Sequence, residues 1–386
     1  MIPDLGLGEK GHVELHKLIR GRLQSVLEHP SIQAAIDAGA NIPPGVYDLQ
    51  GTTLTVNKTM MLYGVTLKNC ALLIGSDVQI LGGTIHVNED GGTLYEQVLD
   101  IKGSHITLRD VRILDSSKVQ RDRFIGVVNA DNVTIDNISS DGRQGWYIQG
   151  HDIAISNCHQ KQALVASDDG YAIKAIERDT YNITINNCTF ENAYSFIAIG
   201  TEVNRNMTVR NVTASNCSGI NCANVISIKP GAEHNEPYPM GIVENINITN
   251  CTLYDRDGVN MRTPVFIHAG CGATVQGVNI SDILIRGRLV AELQQVIALK
   301  ANGIHIAPTI KQVRISNLSY IDSGSELGSG AHYGINAQIN DAGTLQDISI
   351  RDCYFDGLQV GQWLGADVDV VIADIVYDNT VVLEVA

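Results

Sequence analysis

The sequence predicts an all-β chain: a single-stranded right-handed parallel β-helix with an N-terminal α-helical cap. Three observations predict it: two interleaved series of short strands, their repeat length, and the Asn or Asp that closes the copies of one series. The first series includes Ile106-Thr-Leu-Arg-Asp, Val133-Thr-Ile-Asp-Asn, Ile183-Thr-Ile-Asn-Asn, Ile246-Asn-Ile-Thr-Asn and Ile348-Ser-Ile-Arg-Asp. Its copies lie roughly 20 to 40 residues apart, the period of a solenoid. Between them runs a second series: Val98-Leu-Asp-Ile, Trp146-Tyr-Ile-Gln, Tyr171-Ala-Ile-Lys, Phe196-Ile-Ala-Ile-Gly, Ile226-Ser-Ile-Lys, Val265-Phe-Ile-His, Val296-Ile-Ala-Leu-Lys and Tyr333-Gly-Ile-Asn. No such unit buries its apolar face alone, so the coils must stack. Asparagine suits the corners because it tolerates left-handed backbone angles and bonds its own main chain.

The N-terminal region reads differently. Over residues 13–27 the apolar positions follow helical spacing, and a second short helical pattern spans residues 31–38, with Pro30 before it and Gly39 as a stop. Ile42-Pro-Pro-Gly-Val-Tyr then begins extended structure. A solenoid needs its first apolar layer covered, and a helix is a common plug. The expected division is a helical cap over residues 1–46 and a β-helix over residues 47–386, with no linker or charge block between coils. The departures at residues 231–242, which carry Glu233, His234 and Glu236, and at residues 323–333 read as loops.

Composition fits this class. Apolar residues make up 44% of the chain, charged residues only 18%, and glycine numbers 37, as suits a well-buried, turn-rich protein. A formal net charge of −15 excludes broad binding to nucleic acid, which requires a basic face. There is no apolar run of about 18 residues, the length that a membrane-spanning helix needs. The N-terminus lacks the basic-then-apolar pattern of a signal peptide. Cys70, Cys158, Cys188, Cys217 and Cys251 directly follow an asparagine, so they are expected to stack as small buried hydrophobes rather than pair as disulfides. No Cys-x-x-Cys or paired histidine spacing appears, and neither a metal nor a cofactor is expected.

Aligning the second series on its central apolar residue yields a column of outward positions: Gln149, Lys174, Gly200, Lys229, His268, Lys300 and Asn336. Tyr147 precedes that apolar residue on the same face. Equivalent residues of adjacent coils lie about 4.8 Å apart. In an acidic chain, three lysines and a histidine in one column describe either a stripe able to hold an anionic polysaccharide or an ordinary solvent-facing row. Five residues upstream the corner reads Gln144, Asp169, Ser195, Asn224 and Thr263, with Asp168 beside Asp169. Adjacent carboxylates that repel leave a proton donor next to an anion, which is what cleavage of a glycosidic bond requires. Spacing alone is equally met by an Asp-Asp-Gly turn.

The runs Asp168-Asp169-Gly-Tyr-Ala-Ile-Lys, Ile183-Thr-Ile-Asn-Asn-Cys-Thr-Phe, Ile197-Ala-Ile-Gly-Thr-Glu and Ile226-Ser-Ile-Lys resemble the polygalacturonase family of glycoside hydrolases, in order and spacing, over roughly residues 140–260. The resemblance implies a right-handed parallel β-helix that cleaves pectic galacturonan with inversion and without a metal. It implies Asp168 as general acid, Asp169 as a residue that activates water, and Lys229 as a contact to a sugar carboxylate. Three positions depart from the family: Gln144 stands where a third aspartate is expected, with Asp141 or Glu202 as substitute carboxylates; Ser195 replaces a histidine and Ser227 an arginine.

The Ile42-Pro-Pro-Gly-Val-Tyr opening also resembles the wider pectate-lyase-like superfamily, which includes phage tailspikes, epimerases and lyases. A lyase would take a proton beside a uronate carboxylate with Lys174, Lys229 or His268. Three functions therefore stand: an acidic-polysaccharide hydrolase, a lyase or epimerase on the same scaffold, and a non-catalytic carbohydrate-binding β-helix. Each implies a polysaccharide partner, an extracellular or virion-associated site, and a monomer or homotrimer.

Overall fold

A computed structural model describes residues 29–378 apart from 88–96, 117–123, 143, 163–167, 232–239, 257–260, 290–294, 303–305, 323–332, 341–342, 359 and 365–369. The expected helix over residues 13–27, and Glu233, His234 and Glu236, lie outside the described residues.

The second expected helix is α1, Ile32–Ala38. Ser31 caps its start by accepting the Ala34 amide, and Gly39, at φ +71°, turns the chain out of it. Ala35 and Ile36 are buried, and the Gln33 amide exchanges hydrogen bonds with the backbone of Thr55 in the first strand, Gly45–Val56.

From there the described strands form one parallel ladder that winds around three faces. On the first face, Gln144–Ser156 pairs with Phe124–Asp136 before it and Tyr171–Ala175 after it. Ser195–Val203, Asn224–Ile228, Val265–Ala269, Gln295–Asn302 and Tyr333–Asn340 follow in turn. The second face stacks Thr180–Asn186, Thr208–Ser215, Ile242–Tyr254 and Thr274–Gly287. A third, shorter face stacks Arg112–Asp115, Ser139–Asp141, His159–Lys161 and Thr189–Glu191. This is a parallel β-helix.

The side-chain period of two explains why the sequence winds this way. Ile148, Ile173, Ile199, Ile228 and Ile267 occupy successive coils in register and are fully buried. Each such side chain contributes about 1.5–3 kcal/mol of burial relative to exposure. At the corner between the first two faces, Asn132, Asp152, Asn182, Asn211 and Asn245 all hold φ between 54° and 57°. They are joined side chain to side chain, Asn182 donating to Asp152 at 2.8 Å and Asn211 to Asn182 at 3.0 Å. Asn137, Asn157, Asn187, Asn216 and Asn250 repeat the device at the next corner, again with positive φ.

One residue after that second ladder come Cys158, Cys188, Cys217 and Cys251, stacked along the interior. All eight cysteines are free and buried, as their corner positions predict. Several thiols donate to a carbonyl of their own corner, Cys188 to Asn186 at 3.2 Å and Cys217 to Ser215 at 3.0 Å. Burial pushes the Cys70 and Cys222 thiols up to about 12, away from nucleophilic chemistry.

Candidate functional site

The first face carries the candidate site, and its register can be read rung by rung. Tyr147, Ala172, Ala198, Ser227, Phe266, Ala298 and Asn336 form one column. Between Tyr147 and Phe266 this column holds only small side chains, and Ala198 and Ser227 there have no exposed surface. Ser227 is fully buried, and its hydroxyl has no hydrogen-bond partner.

Two residues further along the strands lies the cationic column. His268 pairs with Lys300, and the flanking pairs Ile148↔Ile173 and Ile228↔Ile267 put Gln149 beside Lys174 and Lys229 beside His268. The column departs from expectation in three places. A bulge between Ile173 and Ala175 brings Glu202 to Lys174, whose ammonium meets that carboxylate at 2.6 Å and lies 4.7 Å from the Tyr147 ring centre. Lys174 is therefore neutralised by its neighbour. Gln149 is almost fully buried, its side-chain oxygen accepting from the amides of Ile176 and Glu177 at 2.8 and 3.0 Å, and is taken up by the backbone. Asn336 belongs to the column of Tyr147 and Phe266 instead, since it pairs with Ala298, and Gln338 stands beside Lys300. The remaining cations are recessed: Lys229 is only 9% exposed, and burial lowers the pKa of Lys300. Lys300 stands 5.9 Å from the centre of the Phe266 ring, against which His268 also packs.

The corner entering these strands holds the carboxylates. Ser195 pairs with Asn224, whose amide donates to the Ser195 hydroxyl at 3.2 Å while its oxygen accepts the Thr263 amide at 3.3 Å. With Gln144 and Asp169 this is one buried polar column. Asp169 is 8% exposed. Burial raises its pKa above the usual carboxylate range, and the charge of Asp168 adds to the rise; Lys229, a hydrogen bond from Ser195 and Lys174 oppose it without cancelling it. The second oxygen of Asp169 has no partner. Asp168 is more accessible and accepts the Asp169 amide at 2.8 Å. Its carbonyl is held by the Gln162 amide at 3.0 Å and by the backbone of Tyr194. Tyr147 lies in the same field, its hydroxyl pKa raised by burial and by Glu202 and Glu177.

Asp141 does not join this pair. It ends the strand Ser139–Asp141, pairs with Leu114 and Lys161, and so belongs to the third face. Gly142, at φ +105°, turns the chain between it and Gln144.

Two residues absent from the sequence expectation stand at the corner. Tyr194 follows Asp168 by one coil, and its ring has the Lys229 ammonium 5.6 Å and the Arg262 guanidinium 5.4 Å from its centre. Arg262 thus brings a guanidinium to the same ring as the Lys229 ammonium, where Ser227 supplies none. The signal in the sequence was their position, one residue before the polar column.

No family model and no curated protein matches the chain. Among solved structures, the chain is similar to a hyperthermoactive exopolygalacturonase from Thermotoga maritima, at 13% identity and a TM-score of 0.53, over 89% of this chain and 86% of that one. It is also similar to a surface adhesin of Streptococcus pneumoniae, at 11% identity and a TM-score of 0.55, over 91% and 88%. A tailspike protein mutant of the E. coli bacteriophage HK620 matches at 11% identity and a TM-score of 0.53, over 91% and 75%. At these identities the likeness shows the fold alone: the β-helix of the exopolygalacturonase and the tailspike.

Proposed function

We propose that this protein is a glycoside hydrolase acting on an anionic polysaccharide, with Asp169 as its acid and Asp168 as its base. The observation that carries the reading is the asymmetry of the pair: one carboxyl is buried and favours its proton, while its neighbour is more exposed and accepts a backbone amide. Two carboxylates pushed apart in this way are suited to divide acid and base roles.

The asymmetry supports roles opposite to those the family resemblance implies. Asp169 holds the proton and delivers it to the leaving oxygen; Asp168, ionised, draws a proton from the attacking water. One carboxyl releases a proton as the other gains one, so the charge of the pair is conserved. Lys229 and Arg262, 5.6 and 5.4 Å from the Tyr194 ring centre, suit a sugar carboxylate. The half-buried Tyr147 and Phe266 rings offer apolar faces to the sugar units.

A second reading rests on Lys300. A lysine whose pKa is lowered by burial beside His268 is a candidate base for elimination. Product analysis on a panel of acidic polysaccharides separates the two. Hydrolysis yields saturated ends; elimination yields unsaturated ends that absorb in the ultraviolet and would overturn the hydrolase reading.

A further inference from the structure

The third face carries a feature that the proposed chemistry does not use. Arg112, Ile113, Leu114, Ser139, Ser140, Asp141, His159 and Lys161 line a cavity of about 370 Å³, within the size range of ligand pockets. It spans three coils. Arg112, Ser139 and His159 stand in one register column, and Leu114, Asp141 and Lys161 in the next but one. The middle coil offers the short side chains, so Ser139 and Asp141 make a floor between Arg112 on one side and His159 and Lys161 on the other. With coils about 4.8 Å apart, those walls stand about 10 Å from each other at the backbone.

We propose that this pocket is a second saccharide site, which takes one anionic sugar unit, a uronate or a sulfated hexose, from a polysaccharide. Arg112 offers a planar fork of donors to a carboxylate or sulfate, and Lys161 a second cation. Glu191 faces His159 at 3.8 Å and Lys161 at 3.9 Å, both beyond hydrogen-bonding distance, so a ligand anion can displace these contacts. Asp141 decides between a sugar and a bare anion. Its carboxylate repels free sulfate or phosphate but accepts hydrogen bonds from sugar hydroxyls, so the pocket favours a ligand with an anion at one end and hydroxyls at the other. The site stands apart from the question of whether Asp168 and Asp169 catalyse.

The test is titration of the full chain with a trimer of galacturonate, galactose 6-sulfate, galactose and sodium sulfate, followed by backbone amide shifts at Ser139, Ser140 and Asp141. The trimer or the sulfated sugar should shift these amides saturably, with galactose and sodium sulfate at least about tenfold weaker. Arg112→Ala should lower affinity at least about tenfold, and Asp169→Asn should leave binding at these amides unchanged. Ser139→Leu should abolish it by filling the floor. The fold accommodates leucine there, because Leu284 occupies the same column further along. Absence of saturable shifts at these amides, equal affinity for sodium sulfate, or binding that survives Ser139→Leu would overturn the proposal. No turnover of any acidic polysaccharide by the wild-type chain, with these shifts intact, would count against the catalytic reading alone.

Discussion

Replacing Asn211 tests why asparagine recurs at the corners. Its side chain donates to Asn182 at 3.0 Å and accepts from Asn245 at 3.3 Å, and its backbone sits at φ +54°. Both hydrogen bonds are exposed, so their loss costs on the order of 0.5 kcal/mol each. An alanine adds the steric cost of a left-handed backbone, about 1–2 kcal/mol, which glycine avoids. Asn211→Ala is therefore expected to destabilise its corner by about 2–3 kcal/mol, and Asn211→Gly by about 1 kcal/mol less. The structure holds a natural precedent in Gly277, at φ +64°, two coils along the same ladder. Amide hydrogen exchange at Asn182, Asn211 and Asn245 measures the difference locally, and protection should be about fivefold higher in the glycine variant than in the alanine variant. If alanine protects as well as or better than glycine, backbone strain is not what selects asparagine here.

Asp169 links the site to stability. Its folded-state pKa is raised above the usual 3.8, so as pH climbs from that value the unfolded chain loses the proton first and the native state becomes progressively less stable. Asp169→Asn should therefore match wild type in denaturant midpoint below about pH 4 and exceed it at neutral pH; a constant difference across pH would refute the shift. Native protein should show almost no thiols reactive toward a disulfide reagent, with all eight appearing on unfolding; fewer on unfolding would mean disulfides. Gly145 has no room for a Cβ, which would strike the carbonyl oxygens of Gly170 and Asp169. Gly145→Ala should cost about 1–3 kcal/mol and depress turnover further by displacing the Asp169 backbone, as paired melting and rate measurements would reveal.

The coil architecture was legible because each signal repeats. Isoleucines two residues apart and asparagine at the corners recur in coil after coil, so one ambiguous copy changes nothing. The same periodicity hides register. Asn336 was expected beside Lys300 because a slip of two residues keeps every side chain on its face; only the observed pairing of Ile335 with Ile297 reveals it. Asp141 was grouped with that corner because it is three residues from Gln144, but the turn at Gly142 leaves it on the third face. The Lys174 contact with Glu202 depends on a bulge, and no pattern in a single sequence announces a bulge. The neighbouring carboxylates themselves were visible, but their inequality was not, since it arises from burial by residues of three coils.

Turnover by Asp168→Asn and Asp169→Asn, on the polysaccharide that wild type cleaves, tests the catalytic claim most directly. A general acid or base contributes on the order of 10²–10⁴-fold, so each variant should lose about that much in kcat while still binding the polymer. The alkaline limb of the pH–rate profile should follow Asp169. Wild-type turnover in both variants would contradict the claim and direct attention to His268 and Lys300.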